Sequence, residues 1–149
     1  MIRRILDPGN NSYLVNASLL ALRMWVGLTM LINHGFDKLR HFGDLAPDFP
    51  DPLGAGHTAS LALVVFAEFF MSLFILFGLA TRGAALVLVI NMSVAFFGVH
   101  KGALSGPGSG ELAFIYLMGY VVLFLAGPGS FSVDKVLSGR CRSVPSQPS

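Results

Sequence analysis

The chain has 149 residues, of which only 12% are Asp, Glu, Lys or Arg and 54% are hydrophobic. A soluble protein contains about 25% charged residues, because it must cover a large surface with polar groups. Ten basic and eight acidic residues are too few for that surface, and a net charge of +2 is too small to attract polyanions. The composition therefore argues against a soluble enzyme, a disordered chain and a nucleic-acid-binding protein, and it predicts residence in a lipid bilayer.

Four apolar segments approach the roughly 20 residues that a helix needs to cross a bilayer core of about 30 Å. They cover residues 17–36, 59–80, 83–100 and 111–126. Each of the first two contains a charged residue, Arg23 or Glu68, with apolar sequence on both sides. We therefore predict an all-α membrane protein, an antiparallel bundle of four transmembrane helices that forms a single domain over residues 1–138.

The segments outside these helices differ in composition. Residues 43–57 are rich in Gly and Pro, which predicts an irregular loop or lid after the first helix. Residues 132–138 place apolar side chains on one side of a helix, which predicts a short C-terminal interfacial helix. The tail, residues 139–149, has a composition typical of disorder.

Basic residues predict the orientation, because the cytoplasmic loops of membrane proteins carry an excess of Lys and Arg. With the N-terminus inside, six basic residues lie on the cytoplasmic side and three on the outer side. The six are Arg3, Arg4, Arg82, Lys135, Arg140 and Arg142, and the three are Lys38, Arg40 and Lys101. We therefore predict an integral protein of the bacterial plasma (inner) membrane with both termini in the cytoplasm.

Arg23 and Glu68 lie inside predicted helices, where a charged side chain costs roughly 2.5 to 3.5 kcal/mol on insertion scales. Such side chains usually face the protein interior and find partners there. The two residues differ in depth by about 5 Å, given a rise of about 1.5 Å per residue. We predict an intramembrane polar network in which Arg23 pairs with Glu68 and Asn91 is a hydrogen-bonding neighbour. The pair can serve a function, or it can only fix the helix register.

A second polar set lies toward the predicted outer face and consists of His34, Lys38, His100 and Glu111. Asn91 and His100 are nine residues apart, which is about 180° around an ideal helix. They can share one face only if that helix end is distorted. The outer set is either a group of interfacial side chains that bind water and headgroups, or the binding site of a lipophilic redox carrier or proton-coupled ligand.

A quinone is the carrier that this set suggests, as a bound cofactor rather than a covalent one. It needs an apolar slot for its tail, a donor for its carbonyl oxygen and a proton acceptor near the aqueous face. Two histidines on different helices also permit a bis-His haem, but the sequence has no further haem signal. No metal is expected, since no metal-ligand motif occurs and a single cysteine, Cys141, excludes a disulfide or thiolate cluster within the chain.

Several motifs occur in a fixed order along the chain. They are Arg23 with Gly27, HGFDKL at 34–39, AEFFMSLFILFGLATR at 67–82, INMSVAFFGVH at 90–100, GELAFIYLMG at 110–119 and AGPGSFSVD at 126–134. Over residues 20–136 this ordered set resembles the DoxX family of small four-helix membrane proteins. The family positions that map onto this chain are Arg23, Lys38, Glu68, His100 and Glu111.

The resemblance implies a connection with membrane redox chemistry. Relatives include a small membrane subunit of thiosulfate:quinone oxidoreductase, and others are thought to join redox complexes in sulfur handling or oxidative stress. The chain has no redox motif of its own, so the resemblance implies a quinone-interacting or anchoring subunit of a membrane oxidoreductase. The partner would then be a membrane or membrane-associated protein, or a second copy in a homo-oligomer. The alternatives are a non-catalytic structural or assembly subunit and, third, a small-molecule transporter.

Overall fold

The structure is a computed structural model that describes residues 12–141. All regular structure in this part of the chain is helical. The main helices are α1 (Ser12–Arg40), α2 (His57–Phe77), α3 (Thr81–Val99), α4 (Glu111–Ala126) and α5 (Val133–Cys141). By length and composition α1, α2 and α3 can cross a membrane, and α4 is apolar but shorter. The prediction of an all-helical membrane protein is confirmed.

Several helix ends differ from the predicted ones, and α1 is already helical at Ser12, before the predicted start at residue 17. α1 continues to Arg40, past the end of the predicted 17–36 segment, because polar residues 37–40 extend the helix beyond its apolar part. α5 reaches Cys141 and so includes the first residues of the segment predicted to be disordered. Residues 142–149, and Arg3 and Arg4 of the orientation argument, lie outside the described residues.

Three of the long helices contain a π-helical segment. These segments are Leu31–Phe36 in α1, Phe66–Met71 in α2 and Val94–Val99 in α3. A π-helix bonds each residue to the fifth along rather than the fourth, so it widens the turn and changes the face on which later residues lie. Such segments are rare and frequent at functional sites, and all three of these contribute residues to one cavity.

The helices pack as two close pairs, α1 with α2 and α3 with α4. α1 also contacts α4, and residues 66–77 of α2 contact α3. α2 and α3 are joined by a short reversal at Gly78, whose φ of 66° is a left-handed conformation that glycine adopts without strain. We call this end of the molecule the turn end. The opposite end, which carries the connections 41–56 and 100–110, is the lid end.

The predicted pair between Arg23 and Glu68 is wrong. Arg23 is fully buried, and its guanidinium donates a hydrogen bond to the main-chain carbonyl of Phe131, in the connection between α4 and α5. Its side chain also lies against Gly78. A similar depth along the helix axes did not decide the pairing, because Arg23 extends toward the turn end and Glu68 contacts a different cation.

Candidate functional site

A cavity of about 620 Å³ lies at the lid end of the molecule. Most of its wall is apolar and comes from α2, α3, α4 and the connection after α1. Its polar and titratable side chains are His34, Lys38, Ser60, Glu68, Asn91, His100, Ser109 and Tyr116. Pockets that bind small molecules in proteins usually have volumes of about 300–1,000 Å³ and a few polar groups in an apolar wall, and this cavity fits that description.

The polar wall of the cavity contains an ion pair between Lys38 and Glu68. Lys38 Nζ lies 2.7 Å from Glu68 Oε2, and the Asn91 side-chain amide donates to Glu68 Oε1 at 3.4 Å. Three helices meet here, because Lys38 belongs to α1, Glu68 to α2 and Asn91 to α3. Of the predicted network, the structure therefore brings Glu68 and Asn91 together, and Lys38 replaces Arg23 as the cation.

The π segments of α1 and α2 touch beside this ion pair, at Gly35. A Cβ atom at Gly35 would lie 2.6 Å from the main-chain carbonyl of Glu68, so any larger residue would force the two helices apart. The close contact holds the π segment Phe66–Met71 of α2 against the π segment Leu31–Phe36 of α1. It thereby sets the position of Glu68 relative to Lys38, three residues beyond Gly35.

His34 and Tyr116 form a second part of the polar wall. Their rings lie edge to face, with centroids 5.7 Å apart and planes at 87°. Tyr116 in turn stacks on Tyr120 at 6.2 Å, and the Tyr120 hydroxyl donates to the main-chain carbonyl of Val26 at 3.3 Å. Among the described residues neither the His34 ring nitrogens nor the Tyr116 hydroxyl has a hydrogen-bond partner. These polar atoms are therefore free to bind a ligand.

His100 reaches the same cavity from the end of α3. Its Nδ1 lies 2.7 Å from the main-chain carbonyl of Gly108, and since a carbonyl can only accept, Nδ1 carries the proton. In the neutral ring Nε2 is then an acceptor. Asn91 and His100 both line the cavity because the π segment Val94–Val99 lies between them and changes the face on which His100 falls. At a spacing of nine residues, Asn91 and His100 could share one face of α3 only if the helix were distorted, and the π segment is that distortion.

Residues 46–56, which we call the lid, cover the cavity at the lid end. Phe49, Pro50, Pro52 and Leu53 contribute to its wall. The lid is attached to α2 through Asp51, whose carboxylate accepts hydrogen bonds from the Ser60 hydroxyl at 2.7 Å and from the main-chain N–H of Gly56 and Ala55 at 2.8 and 2.9 Å. It is attached to α3 by packing between Pro52 and Gly98.

These hydrogen bonds also affect the titration of Asp51. The Ser60 hydroxyl, followed by the Gly56 N–H, holds the pKa of the Asp51 carboxyl below its ordinary value, because both stabilise the ionised form. A pKa lowered by specific donors indicates that Asp51 is ionised in the closed lid.

Comparison with known proteins identifies the family. The DoxX family model matches residues 18–101, which is more than half of the chain. The chain belongs to the DoxX family. It is also 31% identical over 114 residues to a protein of Haemophilus influenzae described as uncharacterized, a match that covers 70% of this chain and 80% of that protein. No solved structure matches the chain.

The DoxX match includes every cavity residue that α1, the lid, α2 and α3 supply. The cavity residues of α4 lie beyond residue 101 and therefore outside the match. Tyr116 of α4 was missed by the sequence reasoning, although a tyrosine in an apolar helix usually needs a partner for its hydroxyl. Glu111 was expected in the outer set, but it is exposed and does not line the cavity. Its neighbour Leu112 lines the cavity instead, because Glu111 lies on a different face of the first turn of α4.

Within the described residues, no three His, Cys, Asp or Glu side chains come together in an arrangement that could hold a metal ion. The polar wall instead combines hydrogen-bond donors, acceptors and one ion pair. This composition is suited to an organic ligand with polar oxygen atoms on an otherwise apolar body.

Proposed function

We propose that this DoxX protein is the quinone-binding subunit of a membrane oxidoreductase, and that its quinone lies in the cavity beneath the lid. The observation that carries the proposal is the cavity itself, about 620 Å³ in volume and apolar except for one polar wall. A quinone ring requires these features: a slot for an apolar ring and tail, and donors within reach of two carbonyl oxygens.

Several side chains of the wall can hold the quinone carbonyl oxygens. Lys38 Nζ has three N–H donors and gives one to Glu68, while the Asn91 amide has two and gives one to Glu68. A His34 ring N–H and the Tyr116 hydroxyl are further donors with no partner among the described residues. The ion pair and its neighbours would bind one carbonyl, and His34 with Tyr116 would orient the ring.

The polar wall can also donate and accept the protons that quinone reduction requires. Conversion of a quinone to a hydroquinone consumes two electrons and two protons, and the electrons would come from a redox centre on a partner subunit. In the neutral form each imidazole ring has one nitrogen that donates and one that accepts, so His34 and His100 Nε2 would accept and return protons at the cavity wall. The side chains of Glu68 and Lys38 are only 7% and 20% exposed, so the ion pair has little contact with water.

Quinone binding can be tested with purified protein in mild detergent. The wild-type protein should retain quinone that mass spectrometry detects, and it should bind added quinone after extraction. His34→Ala should weaken the affinity about tenfold, the equivalent of about 1.4 kcal/mol, because it removes a ring nitrogen from the cavity. His41→Ala is the matched control, since His41 is exposed at the same end and does not line the cavity.

A wild-type protein that neither retains nor binds quinone would contradict this function. Co-purification with one stoichiometric membrane partner in that case would favour the structural or assembly role instead. A His34→Ala variant that binds quinone as tightly as His41→Ala would show that the quinone lies elsewhere.

We also propose that the chain crosses the bacterial inner membrane four times as an antiparallel bundle, with both termini in the cytoplasm. At about 1.5 Å per residue, the 16 residues of α4 span about 24 Å, which a modest local thinning of the bilayer accommodates. The sequence count of six basic residues on the predicted cytoplasmic side against three on the outer side supports the orientation. Because Cys141 is the single cysteine, a membrane-impermeant maleimide should label it in inverted vesicles and not in intact spheroplasts, and the reverse result would invert the topology.

A further inference from the structure

The cavity is bounded on one side by two helices that diverge. Residues 66–77 of α2 pack against α3, whereas among the described residues His57–Val65 makes no comparable contact with α3. α2 and α3 are therefore close at the turn end and apart at the lid end. The space between their diverging halves leads into the cavity, because Leu63 and Phe66 of α2 and Ile90 of α3 line it.

The lid closes this space at the top but not at the side. Asp51 attaches the lid to Ser60 of α2, and Pro52 packs on Gly98 of α3, so the lid bridges the two diverging helices at the lid end. Below the lid, three cavity-lining side chains are largely exposed: Leu63 at 59%, Phe66 at 49% and Ile90 at 57%. We call these three residues the side mouth of the cavity.

The side mouth lies at a depth that water-soluble compounds do not reach. Ile90 is at the centre of α3 (Thr81–Val99), and Phe66 is close to the centre of α2 (His57–Phe77). The centre of a membrane-crossing helix lies in the hydrocarbon core of the bilayer. Only a hydrophobic group can occupy an opening at that depth, whereas the polar wall of Lys38 and its neighbours requires a polar group inside.

We propose that the ligand enters the cavity sideways from the bilayer, between α2 and α3, and that it is an amphiphile with a long hydrocarbon tail. The carbonyl oxygens of its ring rest against His34, Lys38 and Asn91, and its tail extends through the side mouth into the lipid. This inference rests on the proposed function of the cavity as a quinone site. It adds the route of access and the requirement for a tail, which the polar wall alone does not imply.

A second groove provides the competing route. It has a volume of about 400 Å³ and lies between α1 and α4, on the other side of His34 and Tyr116, which line both spaces. Ile115 lines this groove and is 57% exposed, the same fraction as Ile90. Tryptophan at either position adds the same bulk at an equally exposed isoleucine, so Ile115→Trp is the matched control that obstructs the other route.

The experiment compares two quinones with the same ring, one with a long isoprenoid tail and one without a tail. Native mass spectrometry of the detergent-solubilised protein, titrated with each quinone, measures the bound fraction for wild type, Ile90→Trp and Ile115→Trp. Ile90→Trp should weaken the binding of the tailed quinone about tenfold and change that of the tailless quinone by less than about twofold. Ile115→Trp should leave both affinities close to those of the wild type.

The other outcomes contradict the proposal in distinguishable ways. Equal binding of the tailed quinone by wild type and Ile90→Trp would rule out the side mouth as the place of the tail. Weakened binding with Ile115→Trp alone would assign the tail to the groove between α1 and α4. Failure of the wild type to bind either quinone would overturn the proposed function, and the side mouth with it.

Discussion

Lys38 Nζ lies 2.7 Å from Glu68 Oε2, and this ion pair joins the end of α1 to the π segment of α2. The side chains of Lys38 and Glu68 are 20% and 7% exposed, so both charges are largely removed from water. Removal of one partner from a buried pair leaves the other charge uncompensated, which costs far more than the pair itself contributes. The ion pair therefore contributes both to the stability of the fold and to the polar wall of the cavity.

Glu68→Gln should lower the free energy of unfolding by about 3 kcal/mol, because it leaves Lys38 without its counter-ion. Lys38→Met should have a similar effect, since the Glu68 carboxylate then keeps only the Asn91 amide at 3.4 Å. The double variant should recover much of the loss, because no unpaired charge remains. Unfolding in mixed micelles measures all three, and a double-mutant cycle isolates the coupling. Losses that simply add would show that the two side chains do not interact.

The sequence identified the charged residues inside the helices but did not identify their partners. Depth along a straight helix suggested Arg23 for Glu68. The structure pairs Glu68 with Lys38, a residue at the polar end of α1 that hydropathy had assigned to a connection. A long lysine side chain can reach several ångströms back along its helix, so hydropathy boundaries do not limit which cations reach a buried carboxylate.

Gly35→Ala should destabilise the protein by about 2 kcal/mol, a typical cost of overpacking. Its Cβ would lie 2.6 Å from the main-chain carbonyl of Glu68, and a main-chain atom in a helix cannot move away as a flexible side chain can. Gly43→Ala is the control, because a Cβ there meets nothing within 4 Å. We expect Gly43→Ala to change stability by less than about 1 kcal/mol. Equal unfolding midpoints for the two variants would contradict the close contact of α1 with α2.

The candidate site was only partly visible in the sequence, for a geometric reason. Counting along each helix grouped His34, Lys38 and His100 at one end, and all three line the lid-end cavity. Asn91 was assigned to a separate group, since ideal α-helical geometry puts it opposite His100. Hydrogen bonding within the π segment Val94–Val99 brings both residues to one cavity, and residue periodicity carries no signal for such a local change of helical pitch.

Acidification should open the lid at Asp51. The pKa of Asp51 is below its ordinary value in the folded protein, so its stabilising effect is complete above the unfolded pKa of about 4 and is lost as the pH falls through the lower folded value. Hydrogen-exchange protection of the Ala55 and Gly56 amides should therefore be constant above about pH 5 and decrease in more acidic solution.

Variants of the lid separate this effect from general acid unfolding. Asp51→Asn should show low protection of Ala55 and Gly56 at every pH, because its amide group cannot accept as many hydrogen bonds as a carboxylate. Asp48→Asn, in the exposed turn Ala46–Asp48, should retain the wild-type pH dependence. An unchanged protection profile in Asp51→Asn would mean that packing of Pro52 on Gly98 alone keeps the lid closed.

Asp134 of α5 should stabilise the start of α3. Its carboxylate accepts hydrogen bonds from the main-chain N–H of Ala80 at 2.7 Å and of Thr81 at 2.9 Å, and from the Thr81 hydroxyl at 3.0 Å. It thus caps a helix to which it is not connected in sequence, and the negative charge also suits the N-terminal end of the helix dipole. Asp134→Ala should lower the free energy of unfolding by about 1 to 2 kcal/mol.

Lys135→Ala is the matched control, because Lys135 is the next residue of α5 and is exposed. It should change stability by less than about 0.5 kcal/mol. The loss in Asp134→Ala should also appear as faster hydrogen exchange at Ala80 and Thr81, while the amides of α4 remain protected. If exchange increases only within α5, the carboxylate holds its own helix rather than the start of α3.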